Sequence, residues 1–170
     1  MKLEQALVAC CDLTAYVRYA KSVPESEIFT MLSGYYELVG DIVGGAGGKV
    51  IKFMGDAALI YYPENAVDAG VISLLKLQEN GDKYLEDKGI VCRHHIRAHF
   101  GEIVIGELGV RNDKRLDILG STVNAMFMLK ATGFAITPEV FRKLSPETRK
   151  SFKKHTPPVT YIPSVQSHRD

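Results

Sequence analysis

The stretch KVIKFMGDAALIYY, residues 49–62, holds two apolar runs parted by Gly55 and Asp56. A Gly-Asp pair between apolar runs is a tight-turn signal, so the stretch predicts an antiparallel hairpin. Upstream, the glycines of GGAGG at 44–48 end a helix. Its apolar residues Ile28, Leu32, Tyr35, Leu38, Val39, Ile42 and Val43 fall on one stripe, and Ser22 with Pro24 marks its start. Further upstream, EQALVACC at 4–11 is an apolar run closing on Asp12, which reads as a buried strand. Downstream, a second helix runs from about Asn65 to Lys88, with Val67, Val71, Leu74 and Leu75 on its buried face and Gly89 closing it. VCRHHIRAHFGEIVIGELG at 91–109 then reads as two strands around Gly101. The order strand, helix, strand, strand, helix, strand is the split βαββαβ, ferredoxin-like α+β plan.

Additional C-terminal elements follow this core. VRNDKR at 110–115 is a charged excursion, and Ser121 and Thr122 are candidate caps for a helix to about Thr132. A short strand at 135–137, a helix near 138–144 and a last strand near 158–162 complete the reading. The expectation is one domain over residues 1–163 with a loose tail at 164–170.

Composition narrows the function classes. Lys plus Arg number 21 against 20 Asp plus Glu, and this balance argues against a dedicated binder of nucleic acid or acidic membranes. No apolar run approaches the length of a membrane span, and residues 1–9 are too short and polar for a signal peptide. Cys10, Cys11 and Cys92 are odd in number and form no Cys-x-x-Cys, so they read as reduced thiols in a cytoplasmic protein rather than a disulfide or zinc framework. On a strand, His95 and His99 share a face that His94 does not, which disfavours a zinc site. GGAGG lacks the Gly-Lys-Ser/Thr of a phosphate-binding P-loop. The first strand begins beside Met1, so a regulator is expected to be a partner or a small molecule.

The chemistry concentrates at two strand ends. Asp12 closes the first strand and Asp56 lies in the hairpin, and in the split plan those strands are neighbours. Two converging carboxylates with no paired cation suit Mg²⁺ or Mn²⁺. A pair of such ions about 4 Å apart is a standard device for in-line attack at phosphorus. The plainer alternative is that Asp12 caps a turn and Asp56 makes the hairpin.

Four ordered signatures now make the chain resemble the class III nucleotidyl cyclase catalytic domains, the adenylate and guanylate cyclase family. They are Asp12-Leu13-Thr14-Ala15-Tyr16-Val17, Lys52-Phe53-Met54-Gly55-Asp56, Gly106-Glu107-Leu108-Gly109, and the span from Asp117 to Asn124. The likeness runs from about Gln5 to Thr137. It implies a site shared across a head-to-tail dimer, as a homodimer or with another cyclase domain. Asp12 and Asp56 of one protomer, with the Leu13 carbonyl, would hold two ions, Mg²⁺ or Mn²⁺. Backbone amides of Ala15, Tyr16 and Val17 would touch the triphosphate of ATP, while the usual Thr hydroxyl is lost at Val17. Lys52 and Asp117 of the other protomer would read the purine, and Asn124 would orient the ribose. The implied reaction turns ATP into 3′,5′-cyclic AMP and pyrophosphate, with Asp12, Asp56 and Asn124 as its catalytic residues. Beyond Ala15 and Val17, which stand where the resemblance has Gly and Thr, a third position departs: active relatives usually carry Arg four residues after the Asn, and here it is Met128. The resemblance therefore also admits a pseudo-cyclase that binds nucleotide or a partner domain and regulates it.

Overall fold

In the computed structural model, which describes residues 1–167, strand β1 (Lys2–Leu13) is hydrogen-bonded on both edges. On one side lies β3 (Ala57–Pro63) and on the other β4 (His94–Val110), both antiparallel to it. A short helix α1 (Tyr16–Ala20) and the long α2 (Glu25–Gly45) lead to β2 (Lys49–Met54), which pairs with β3 through the expected hairpin. Helix α3 (Val67–Asp87) returns the chain to β4. The strand order β2-β3-β1-β4 with α2 and α3 as crossovers is the split βαββαβ core read from the sequence. Beyond it come β5 (Asp113–Leu119) on β4, α4 (Ser121–Met128), β6 (Phe134–Ile136), α5 (Pro138–Lys143), α6 (Pro146–Arg149), β7 (Phe152–His155) and β8 (Thr160–Pro163).

A central strand with both faces covered must be apolar throughout, which is why EQALVACC shows no alternation. Leu7, Ala9, Cys11 and Leu13 face the helices and pack with Tyr35, Val39, Val71, Leu74 and Leu77. Ala6, Val8 and Cys10 face the other way and pack with Ile103, Ile118, Val123 and Met126, under β5 and α4. No helix among the described residues is long and apolar enough to cross a membrane.

Several expectations need correction. Residues 94–110 form one 17-residue strand rather than two, and Gly101 is not a turn. A Cβ there would stand 2.6 Å from Thr122 Oγ1, so the glycine lets α4 approach the sheet. The charged excursion is the tip of the β4–β5 hairpin, with Val110 paired to Asp113. Neither Ser121 nor Thr122 caps α4: Gly120 holds the N-cap, and the Thr122 hydroxyl donates to the Glu102 carbonyl at 2.6 Å. The helix stops at Met128, short of Thr132. Within the described part of the segment from 164, Gln166 makes two hydrogen bonds. Gln166 Oε1 accepts from Phe134 N at 2.8 Å and its Nε2 donates to Thr132 O at 3.0 Å. The remainder of the expected tail, 168–170, lies outside the described residues.

Under the helix layer, a buried polar chain runs Cys11–Tyr35–His94–Asp82. His94 Nε2 is 3.0 Å from the Tyr35 hydroxyl and its Nδ1 is 2.7 Å from Asp82 Oδ1. Gly81 makes room for it, since a Cβ there would lie 2.3 Å from the His94 ring. Gly81→Ala should therefore displace His94, break both hydrogen bonds and destabilise the fold by about 1–3 kcal/mol. Urea unfolding of the variant checks this; an unchanged midpoint would show that the imidazole has room to shift.

Candidate active site

At the end of β1, the β1–β4 register sets His95 opposite Asp12 and Arg97 opposite Cys10. Asp12, His95, Cys10 and Arg97 thus share the face opposite the helices. Arg97 Nη2 donates to Asp12 Oδ2 at 2.9 Å, and His95 Nδ1 lies 3.2 Å from Asp12 Oδ1. Arg97 Nη1 also donates to the Phe127 carbonyl, 3.0 Å away near the end of α4. The sequence reading of Asp12 as a carboxylate without a cation is corrected by this pairing. Neither Arg97 nor His95 stood out in the sequence as a site residue. Their period-2 placement on β4 was visible, but the register that aims them at Asp12 was not.

Asp56 sits in the β2–β3 turn beside Gly55, whose φ of +66° a residue with a Cβ would adopt only under strain. Asp56 Oδ2 accepts from the Leu13 amide at 3.0 Å, so the two carboxylates do converge on the end of β1. Their environments push them apart. Burial raises Asp12's pKa, but hydrogen bonds and charge from His95 and Arg97 outweigh this and hold it below the usual value. Burial lifts Asp56 above its usual value, the Leu13 amide offsets part of the rise, and the Asp12 charge adds to it.

These carboxylates and the Leu13 carbonyl are oxygen donors of the kind that hard divalent ions prefer. Both Asp12 oxygens, however, are engaged by the chain's own side chains. No group of three or more His, Cys, Asp or Glu placed to hold a metal occurs among the described residues. In this arrangement the residues do not fit a pair of ions.

Between Asp12 and α1 the backbone turns sharply. The Thr14 amide donates to Arg93 O at 2.9 Å, and Ala15 adopts φ 59°, ψ 12°. That left-handed conformation costs an alanine about 1–2 kcal/mol relative to glycine, which the resemblance puts at this position. The Tyr16 and Val17 amides open α1, where a helix start has no intrahelical acceptor for its first donors.

A second cluster gathers on the same side of the sheet. Lys52 Nζ is 2.6 Å from Asp117 Oδ2, and Asp117 Oδ1 accepts from the Ile118 amide at 2.8 Å. A bulge in β2 makes this possible. Val50 pairs with Ile60 but Lys52 pairs with Leu59, leaving Ile51 as the extra residue. Regular pairing would set Lys52 against Ala58 and turn it toward the helices; the bulge sets it beside Leu59, a residue of the second core. Asn124 and Met128 lie one turn apart on the exposed face of α4, and Met128 is 79% exposed. So the structure brings Asp12 and Asp56 to the end of β1 and pairs Lys52 with Asp117, while Asn124 and Met128 are exposed on α4.

The Asp56 shift yields a test with a definite sign. A raised folded-state pKa means that the charged form opposes folding, fully so above that pKa and not at all below the unfolded value near 4. Asp56→Asn keeps an acceptor for the Leu13 amide and removes the charge. Its melting temperature should exceed the parent's at pH 7, and the two should converge as the pH falls toward 3.5. Equal melting temperatures at both pH values would mean that the Asp56 charge is not strained.

No family model matches the chain. Among curated proteins it is similar to an adenylate cyclase of Anabaena cylindrica, 24% identical over 149 residues covering 79% of this chain and 30% of that one. It is also similar to adenylate cyclase 2 of Rhizobium meliloti, 27% identical over 156 residues covering 84% of this chain and 43% of that one. The chain thus spans less than half the length of these relatives. Among solved structures, a bacterial light-regulated adenylyl cyclase superposes with a TM-score of 0.83 at 19% identity, over 99% of this chain and 54% of that one. The guanylyl cyclase Cya2 superposes at 0.78 and 17% identity, over 94% of this chain and 91% of that one. With its split βαββαβ core and flanking C-terminal elements, the chain has the fold of a class III nucleotidyl cyclase catalytic domain.

Proposed function

We propose that residues 1–163 form an adenylate cyclase-type unit that converts ATP to 3′,5′-cyclic AMP and pyrophosphate at a head-to-tail interface, between two copies or with another cyclase domain. The observation that carries this reading is the Lys52–Asp117 pair, held at 2.6 Å. An ammonium donates and a carboxylate accepts, which matches N1 and the N6 amino group of adenine. Guanine presents the reverse polarity. Curated relatives named adenylate cyclase support the same choice, while the superposing structures include both adenylyl and guanylyl cyclases.

In this reading the amides of Ala15, Tyr16 and Val17 receive the triphosphate, and Asn124 orients the ribose so that its 3′ oxygen faces the α-phosphorus. The O3′–P bond forms as the bond to the β-phosphate oxygen breaks, pyrophosphate departs and the 3′ hydroxyl passes its proton to water. Asp12 and Asp56 stand at the phosphate end. The resemblance attaches two ions, Mg²⁺ or Mn²⁺, to Asp12, Leu13 and Asp56. Because both Asp12 oxygens are already held, no step here runs through them.

Met128 sets the expected rate. A thioether offers no charge to oxygens that become more negative in the transition state, whereas an arginine at such a point is worth about 10³ to 10⁵ in rate. ATP binding should survive and turnover should be low. The second reading, a pseudo-cyclase that binds nucleotide or a partner domain, rests on the same exposed Met128.

Two outcomes follow for the purified chain. ATP should bind several-fold more tightly than GTP, and Lys52→Glu should narrow the gap, since each mispaired buried polar group costs about 1–3 kcal/mol. Competition binding measures this, and a parent chain that prefers GTP would overturn the adenine assignment. In a cyclic AMP assay with ATP and Mn²⁺, Met128→Arg should raise kcat about tenfold or more with little change in KM. If the variant stays inactive while ATP still binds, the pseudo-cyclase reading takes its place.

A further inference from the structure

Arg97 is fixed between two acceptors on two different elements. It projects from β4 on the face that carries Asp12, diagonally across the β1–β4 pair, within reach for a long side chain. One end of its guanidinium donates to Asp12 Oδ2 at 2.9 Å. The other donates to Phe127 O at 3.0 Å, in the last turn of α4, where carbonyls lack intrahelical partners and a positive charge meets the negative end of the helix dipole. The Arg97 side chain is only 16% exposed, so solvent screens the pair weakly. Its Nε and the Nε2 of His95 are buried without a partner among the described residues. Asp12 and Phe127 accept from the guanidinium, and the Cys10 thiol lies against it.

We propose that Arg97 takes the place of a divalent cation on Asp12: a tethered guanidinium that closes this carboxylate to metal. A metal ion entering at Asp12 would have to displace a charge-assisted hydrogen bond and then sit beside the positive charge it displaced. The consequence for chemistry is specific. A guanidinium supplies fixed charge and directed donors, but it does not take a hydroxyl into its coordination shell and lower its pKa as a metal does. The inference rests on the proposed reading of Asp12 and Asp56 as the phosphate end of the site. Its test uses metal without nucleotide, so failure of one is distinguishable from failure of the other.

The test is titration of the full chain with Mn²⁺ alone, followed by calorimetry and by the electron paramagnetic resonance signal of free Mn²⁺. Arg97→Ala and Arg97→Gln should each bind Mn²⁺ at least tenfold more tightly than the parent, and adding Asp12→Asn should abolish that gain. The glutamine variant retains much of the stem and a donor for Asp12, and covers the case in which the alanine variant does not fold. In the parent background Asp12→Asn should leave Mn²⁺ binding unchanged, because the carboxylate is already occupied. Arginine variants that bind Mn²⁺ no better than the parent, or an Asp12→Asn single variant that loses Mn²⁺ affinity, would overturn the proposal.

Discussion

The antiparallel pairing of β1 with β4, from Lys2–Ile105 to Leu13–His94, is the constraint on which the rest of the structure depends. It assigns each residue of two long strands to one of two faces. Leu7, Ala9, Cys11 and Leu13 go to the core under α2 and α3, and Ala6, Val8 and Cys10 go to the smaller core under α4 and β5. Because β1 is buried on both sides, a shift of one residue would exchange the two sets and force Asp12 into the helix-side core. The same register carries His95 and Arg97 to Asp12. Packing and the electrostatics around Asp12 therefore have one origin.

Two local irregularities complete the site, and each works against regular strand geometry. The extra residue Ile51 in β2 lets Lys52 leave the helix face for the face of Asp117. Gly101 in mid-β4 leaves space for the Thr122 hydroxyl, which ties α4 to Glu102 and so sets the height of Asn124 above the sheet. Bulges and interior glycines weaken strands, and here both occur where a candidate site residue is placed.

How much of this was legible in the sequence follows from the range of each interaction. The Gly55-Asp56 hairpin, the two long helices and the buried β1 rest on local patterns a few residues long, and they were read correctly. Helix α1, with five residues, and α6 and β7, with four each, are too short to show a period and were missed. Gly101 was read as a turn because a glycine chosen for close approach looks the same as one chosen for backbone freedom. The candidate residues Asp12, Asp56, Lys52 and Asp117 were found in the sequence, and the pairs Asp12–Asp56 and Lys52–Asp117 are neighbours in space. Arg97 was missed because its role exists only through register: nothing near it in the chain marks it, and its partner lies 85 residues away.

Met128 and Arg97 meet at one place. Phe127, whose carbonyl anchors Arg97, is the residue before Met128. The end of α4 has no cation of its own at residue 128 but holds one that comes from β4. The two positions are not equivalent. A charge at residue 128, on the exposed face of α4, would face solvent in the single chain. A charge on β4 is directed inward at Asp12 and is present in each chain alone. It pairs with a carboxylate whose pKa is held low, so that carboxylate remains charged and balanced before any ligand arrives. The charge balance at Asp12 is thus set within the single chain.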